Sequence, residues 1–162
     1  MPRRIKGGLT HFDRKGEAHM VDVGAKDETP RVAVASGRIR MQPATFRLLA
    51  AGRAKKGDVL GVARLAAIQA AKRTPELIPL CHPIAVHGVD MEVAVAAAAD
   101  EVRIAATVRT ADRTGVEMEA LTAVAVAGLA VIDMVKAIDP HAALRDVQVE
   151  AKDGGRSGRW SR

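Results

Sequence analysis

Four stretches of the chain alternate hydrophobic and polar residues, which is the pattern of β-strands with one buried face. The first covers residues 31–41, and the serine-glycine pair inside it predicts a bend or bulge at Gly37. Two more, over 84–96 and 102–108, are separated by a short turn and predict a hairpin. A last strand is expected over 144–152.

Three helices are predicted between these strands. Pro43 suits the first turn of a short helix that ends near Gly52. Asp58 is a suitable N-cap for a second helix, which runs to about Arg73. The third helix, over 116–138, is apolar for most of its length and ends just before a proline.

The remaining segments favour loops. Residues 1–30 are polar and rich in glycine, so we expect an N-terminal arm. Three prolines in nine residues exclude regular structure over 75–83, and glycines with basic residues predict a flexible tail over 153–162. The order β-α-β-β-α-β, with the first helix in two pieces, is that of an α+β, ferredoxin-like fold. We therefore expect a single domain, residues 1–162, with a four-stranded antiparallel sheet and helices on one face.

Composition and net charge limit the kinds of function that the chain can have. Hydrophobic residues make up 48% and charged residues 27%, which excludes a disordered chain. The apolar share rests on 31 alanines and 19 valines, whose small side chains each bury little area, so we expect subunits to associate. The net charge of +6 suits an anionic partner: a nucleic acid, a membrane surface or a phosphorylated small molecule.

Two features bear on the cellular compartment. The single cysteine, Cys81, excludes an internal disulfide framework and suits the cytoplasm. The longest apolar run, residues 120–138, contains Asp133 and Lys136, whose charges are costly in lipid. We therefore expect a buried helix rather than a membrane span. No signal peptide is expected either, because no apolar run follows the basic residues at the N-terminus.

Asp133 and Lys136 are the strongest candidates for chemistry. They lie three residues apart and so share one face of the apolar helix, on the same side as Glu119 and opposite Glu117. Two interpretations remain open. The two residues form a structural ion pair near the helix end, or they form a desolvated acid–base couple with shifted pKa values.

Three loops supply further candidates. In the proline-rich loop, Cys81 is either a small buried hydrophobe or a nucleophile. His82 is either structural or a phosphate donor and proton shuttle, and the scattered histidines show no metal-ligand spacing. Glycines and basic residues over 152–158, and at 55–57 ahead of a helix, suit phosphate binding or are simply solvated.

Four stretches together resemble a known family. They are LTHFDRKGEAHMVDVGAKDETPR (9–31), KKGDVLGVARLAAIQAAKRTPELIPLCHP (55–83), GVEMEALTAVAVAGLAVIDMVKAI (115–138) and KDGGRSG (152–158). In this order they are similar to the cyclic pyranopterin monophosphate synthases of molybdenum cofactor biosynthesis. The resemblance implies an enzyme that converts 3′,8-cyclo-7,8-dihydroguanosine 5′-triphosphate to cyclic pyranopterin monophosphate with release of pyrophosphate. It also implies ferredoxin-like subunits that form dimers and then hexamers, with sites at the dimer interface.

The resemblance also implies roles for individual residues. Asp133 and Lys136 match a catalytic pair that moves protons during ring opening and rearrangement, and Lys56 matches a catalytic lysine supplied across the subunit interface. The pocket for the ring and the contacts to the phosphates are implied at eight further positions: Leu80, Cys81, His82, Met118, Glu119, Glu117, Arg31 and Lys152. No resident cofactor or metal is implied, although Mg²⁺ is compatible with the triphosphate.

A module that binds RNA is the main alternative, because RNA-recognition domains share this fold and a basic charge. Such domains stack bases on aromatic side chains of the sheet. The predicted strands contain no Phe, Tyr or Trp, so we favour an enzyme with a small-molecule substrate and without a nucleic-acid or membrane partner. A ligand-binding subunit without catalytic activity is a second alternative, which only an assay separates.

Overall fold

The computed structural model describes residues 10–162. Residues 10–28 form turns and one isolated bridge between Phe12 and Ala18. A 3₁₀ turn over Ala97–Ala99 joins the two strands of the central hairpin. The strands and helices, in chain order, are β1 (Thr29–Arg40), α1 (Pro43–Ala50), α2 (Val59–Lys72), α3 (Thr74–Leu77), β2 (Gly88–Ala96), β3 (Glu101–Asp112), α4 (Glu117–Val135), β4 (Ala143–Asp153) and β5 (Trp160–Ser161).

The strands form one antiparallel sheet in the order β2-β3-β1-β4-β5. The first four have the order of a ferredoxin-like sheet, as predicted. The expectation of only four strands is wrong, because the predicted tail adds β5 at the edge, where Trp160 pairs with Lys152. Two residues are too few to show a hydrophobic period, so pairing with the open edge of β4 decides this strand.

The boundaries of three elements differ from the prediction. β2 begins at Gly88 rather than at 84, because Ile84 and Val86 pack against the core before the chain joins the sheet. The proline-rich stretch begins with the short helix α3, whose first turn accepts Pro75 since no N–H is needed there. α4 ends earlier than expected, with Lys136 at its C-cap.

The helices cover one face of the sheet, and α4 packs against α2, β1 and β4. Glycine permits two of these close approaches. A Cβ built on Gly37 of β1 would lie 2.7 Å from Val124 of α4, and one built on Gly128 of α4 would lie 2.6 Å from Leu144 of β4. β1 also changes register against β4 at Gly37, which confirms the predicted bulge.

α4 is long and apolar enough to cross a membrane when judged by length and composition alone. In this fold it packs as a core helix, and Ala120, Ala123, Val124 and Ala127 are completely buried. Only half of its apolar window is buried, and Leu129 is 58% exposed. α4 therefore has a second apolar face that residues 10–162 of one chain do not cover.

Asp139 connects the loop after α4 to the start of α1 and is completely buried. Its carboxylate accepts hydrogen bonds from the backbone N–H groups of Gln42 (2.7 Å) and His141 (3.0 Å), and from the Thr45 side chain. Burial alone would raise the pKa of Asp139. The three hydrogen bonds favour the charged form and hold this pKa below its ordinary value.

Asp139→Asn is expected to lower the free energy of unfolding by about 1–3 kcal/mol at neutral pH, because the amide nitrogen cannot accept a backbone N–H. A lowered carboxyl pKa stabilises the folded state above the unfolded pKa of about 3.9, and this contribution is lost as the pH falls through the folded pKa. The difference between the two proteins should therefore shrink below about pH 4. Urea unfolding at a series of pH values measures it, with the exposed Asp146→Asn as control. A difference that is as large at about pH 3 as at about pH 7 would contradict the assignment.

Candidate active site

The candidate residues fall into two groups at opposite ends of α4. Glu117, Met118 and Glu119 lie in its first turn, whereas Asp133 and Lys136 lie at its last. With a rise of about 1.5 Å per residue, the stretch from Glu119 to Asp133 spans about 21 Å along the helix. We call the two groups the N-terminal cluster and the C-terminal cluster of α4. They are too far apart to act on the same atoms within one chain.

The C-terminal cluster consists of Asp133, Lys136 and Lys56. The Lys136 ammonium lies 2.6 Å from the Asp133 carboxylate, and the Lys56 ammonium donates to the Asp133 backbone carbonyl at 3.2 Å. The hydrogen bond from Lys136 and the charges of the two lysines lower the pKa of Asp133. The carboxylate is therefore held in its ionised form.

In the single chain this cluster differs in two ways from the arrangement that the resemblance implies across a subunit interface. The side chains of Asp133 and Lys136 are 63% and 62% exposed, so the pair is not desolvated. Lys56 reaches Asp133 of its own chain rather than the pair of another subunit. Lys56 reaches this position because α2 packs beside α4, and Lys56 lies in the loop just before α2. That loop ends at Asp58, whose carboxylate caps α2 by accepting a hydrogen bond from the Gly61 N–H at 2.9 Å.

The N-terminal cluster includes a small polar pocket of about 210 Å³. On one side of it, Lys152 pairs with Glu117 at 2.8 Å. On the other side, the Arg31 guanidinium donates to the backbone carbonyls of Asp112 (2.9 Å) and Arg113 (3.2 Å). The pocket thus contains two cations whose positions are set by hydrogen bonds, an arrangement suited to a phosphate group.

Two glycines of the predicted tail close over Arg31. Gly154 and Gly155 have positive φ angles of 101° and 71°. A Cβ on Gly154 would lie 2.2 Å from the Pro30 carbonyl oxygen, and one on Gly155 would lie 2.2 Å from the Arg31 guanidinium. A side chain is therefore excluded at Gly154 and fits at Gly155 only if the Arg31 guanidinium moves. This part of the tail belongs to the pocket rather than to solvent.

A larger and more apolar cleft of about 650 Å³ adjoins the polar pocket. Thr114, Gly115 and Glu117 line both cavities, so that the two form one continuous groove. The cleft is lined in part by five of the predicted residues, three from the proline-rich loop and two from α4: Leu80, Cys81, His82, Glu117 and Met118.

Glu119 and Cys81 meet beside this cleft. The Cys81 sulfur lies 3.6 Å from Oε1 of Glu119, which is 1% exposed. Burial, together with the charge and hydrogen bond of Glu119, raises the pKa of Cys81 to about 11, so the thiol is protonated at neutral pH and is not an activated nucleophile. Burial also raises the pKa of Glu119. Among residues 10–162, Oε2 of Glu119 has no hydrogen-bond partner, so the carboxyl group carries a buried polar atom that is not satisfied.

The sequence pattern does not predict three further residues of the groove, which are His11, Thr114 and Gly115. They lie in loops, where no hydrophobic period marks them. The only signal is the family motifs, which include His11 and Gly115 and begin directly after Thr114. Within the described part of the chain, no three His, Cys, Asp or Glu side chains are placed to hold a metal ion.

Another cavity, of about 770 Å³, lies on the open face of the sheet and contains none of the predicted site residues. Acidic and basic side chains alternate there: Glu101 pairs with Arg38 and Arg103, and Arg38 also pairs with Asp146. This face therefore lacks the excess of positive charge that nucleic acids require. β1 to β4 also carry no aromatic residue for base stacking, so the RNA-binding alternative is not favoured.

A family model described as the MoaC family matches residues 20–155, a range that includes every predicted site residue. The chain belongs to this family. It is 58% identical over 153 residues to a protein of Dinoroseobacter shibae, a match that covers 94% of this chain and 97% of that protein. It is 60% and 59% identical over 154 residues to proteins of Streptomyces griseus and Streptomyces avermitilis, covering 95% of this chain and 86% and 89% of theirs. All three MoaC relatives are named cyclic pyranopterin monophosphate synthase, which confirms the family resemblance.

Proposed function

We propose that this protein converts 3′,8-cyclo-7,8-dihydroguanosine 5′-triphosphate to cyclic pyranopterin monophosphate with release of pyrophosphate, a lyase reaction of molybdenum cofactor biosynthesis. The observation that carries the proposal is the continuous groove, in which an apolar cleft beside a buried carboxyl group adjoins a pocket with two oriented cations. A fused ring with polar N–H groups suits the first part, and a triphosphate suits the second. The names of the MoaC relatives support the same reaction.

The two parts of the groove take different parts of the substrate. Met118 packs against the guanine-derived ring, and the free oxygen of Glu119 binds its N–H edge. Arg31 and Lys152 bind the triphosphate, whose charge of roughly −4 at neutral pH strengthens each hydrogen bond to a cation. Glu117 positions Lys152 through their 2.8 Å pair.

The acid–base pair comes from a second copy of the chain. Two α4 helices packed antiparallel about a two-fold axis bring the C-terminal cluster of one copy beside the N-terminal cluster of the other. Exposed apolar side chains on α2 and α4 supply the surface, since Val62, Leu65 and Leu129 are 45%, 70% and 58% exposed. Burial in this interface also removes water from the Asp133–Lys136 pair. We propose dimers of this kind, assembled further into a hexamer.

In the composite site, Asp133 and Lys136 exchange protons with the substrate while its imidazole ring opens and its atoms rearrange to the pyranopterin. Lys56 adds a positive charge beside Asp133 and favours its anionic form. In the last step a substrate hydroxyl oxygen attacks the α-phosphorus, the bond to the oxygen that bridges to the β-phosphorus breaks, and pyrophosphate leaves with the electron pair. The hydroxyl proton passes to a base of the site.

Two points complete the proposal. Any Mg²⁺ in the reaction is carried by the triphosphate oxygens, which are ligands that this ion prefers. We place the reaction in the cytoplasm, because a reducing compartment keeps the free thiol of Cys81 beside the groove intact.

Incubation of the purified full chain with the cyclic guanosine triphosphate tests this function. We expect a pterin, detected by fluorescence after oxidation, and pyrophosphate in equal amounts. GTP is the control substrate and should give neither product. Unchanged substrate would contradict the proposal, and release of pyrophosphate without a pterin would replace it with a simple hydrolysis.

Gly155→Ala is expected to lower the affinity for pyrophosphate by about 10- to 100-fold, because the new Cβ displaces Arg31 and a charge-assisted hydrogen bond is lost. Gly158→Ala is the matched control. Gly158 has a similar positive φ of 62°, but a Cβ there meets no heavy atom of residues 10–162 within 4 Å. Titration calorimetry with pyrophosphate measures both variants, and equal affinities would remove Arg31 from the phosphate site.

A further inference from the structure

His82 joins the proline-rich loop to the N-terminal arm. Its ring atom Nε2 lies 2.5 Å from the backbone carbonyl oxygen of Val21. A carbonyl oxygen only accepts hydrogen bonds, so Nε2 carries the proton in this contact. In the neutral imidazole the other ring nitrogen, Nδ1, then holds the lone pair.

We propose that Val21 is a positioning residue for His82: its carbonyl fixes the Nε2–H tautomer, so that His82 acts on the substrate through Nδ1. The assignment of the tautomer stands on the contact alone. The role of Nδ1 toward a substrate rests on the function proposed for the groove.

The arm that carries Val21 is part of the groove. His11 and Ala18 of the arm line the apolar cleft together with the proline-rich loop. The arm folds back on itself, and the His19 N–H donates to the His11 carbonyl at 3.0 Å. An ion pair between Glu28 and Arg113 at 3.7 Å holds its far end beside the polar pocket. The carbonyl that orients His82 thus belongs to a segment held at both ends of the groove.

A neutral carbonyl orients the ring without adding a charge to the site. In many histidine sites a carboxylate takes this position and favours the charged imidazolium. The two nearby carboxyl groups have other partners, because Glu117 pairs with Lys152 and Glu119 contacts Cys81. Within residues 10–162, the Val21 carbonyl is the hydrogen-bond partner of the ring, and Nδ1 has none. Nδ1 is therefore available to take a proton from the substrate, or to return it.

Nitrogen-15 NMR of the histidine rings in the full chain tests the tautomer without any turnover. At about pH 9, where imidazole rings are ordinarily neutral, His82 should show a protonated Nε2 and an unprotonated Nδ1. Its signals are assigned by their loss in His82→Gln. A ring that carries its proton on Nδ1, or that averages the two tautomers, would overturn the proposal.

Two variants of His82 separate its two nitrogens. The side-chain amide of Gln reaches the position of Nε2, whereas that of Asn reaches only the position of Nδ1. We expect His82→Gln to keep the arm in place and His82→Asn to release it. Backbone amides over residues 18–23 should then exchange hydrogen about tenfold faster in His82→Asn alone. Equal exchange in the two variants would overturn the role of Val21.

Measuring the turnover of the two variants and of the wild type distinguishes a failure of this inference from a failure of the proposed function. Both variants should turn over about 100-fold more slowly than the wild type, because neither has a base at the position of Nδ1. Wild-type turnover by His82→Gln would overturn the role of Nδ1. An inactive wild-type chain with the expected tautomer would contradict the proposed function and leave the role of Val21 in fixing the ring supported.

Discussion

Asp133→Asn is expected to lower turnover by a factor on the order of 10²–10⁴ and to leave the melting temperature unchanged. Asn keeps the shape of the side chain but cannot take or release the proton. The fold of the single chain does not depend on this carboxylate, because it is exposed there and pairs with Lys136 at the surface, and exposed ion pairs contribute little to stability. Steady-state kinetics and thermal unfolding of the same preparation measure the two effects.

Asp90→Asn is the matched control, since it removes another exposed carboxylate from an ion pair. Asp90 lies on β2, on the sheet face turned away from α4, and pairs with Arg109. Both variants change the net charge by the same amount, so a general electrostatic effect on substrate attraction would appear in both. Wild-type turnover is expected for Asp90→Asn. Similar turnover in the two variants would deny Asp133 a part in the chemistry.

Mixed oligomers of Asp133→Asn and His82→Gln chains are expected to regain about a quarter of the wild-type turnover, although each variant alone keeps about a hundredth of it or less. His82 belongs to the groove of the N-terminal cluster and Asp133 to the C-terminal cluster, so each site of a two-fold dimer takes one of them from each chain. Equal random mixing makes half of the dimers mixed, and each mixed dimer has one site with both changes and one with neither. Co-expression of the two variants at equal levels, assayed without separating the oligomers, measures this recovery.

Lys56→Ala mixed with Asp133→Asn is the control that decides between two arrangements. A lysine supplied across the interface, as the family resemblance implies, would let this pair of variants rescue one another. In the structure Lys56 donates to Asp133 of its own chain at 3.2 Å, so every site of a mixed dimer carries one of the two changes. We expect no recovery. Recovery in this pair but not in the first would contradict the two-cluster arrangement.

The strands show what a local pattern can and cannot predict. The predictions for β1 and β3 lie close to the observed strands, because each alternates between a face buried under the helices and an open face. The prediction for β4 also lies close, although its residues are only half-buried or exposed and do not alternate in burial. The alternation before β2 comes instead from Ile84 and Val86, which pack on the core outside the sheet. β5 forms only because it pairs with β4, so its own two residues do not predict a strand.

The candidate site divides in the same way. The sequence alone reveals the charged pair on an apolar helix and the proline-rich loop, because the composition of each differs from that of the adjacent residues. The sequence does not reveal which residue each of these side chains contacts. Cys81 contacts Glu119, 38 positions later, and His82 contacts Val21, 61 positions earlier. These contacts decide that the thiol stays protonated and which ring nitrogen holds a lone pair.

By itself, the sequence determined the fold class, the family and the set of candidate residues, because hydrophobic period and long motifs are properties of neighbouring residues. Only the tertiary structure decided which candidates act together. The length of α4 separates Asp133 from Glu119, the packing of α2 on α4 brings Lys56 to Asp133, and the fold of the arm brings Val21 to His82. Such proximities arise from helix rise and close packing between distant segments, which no stretch of the chain encodes alone.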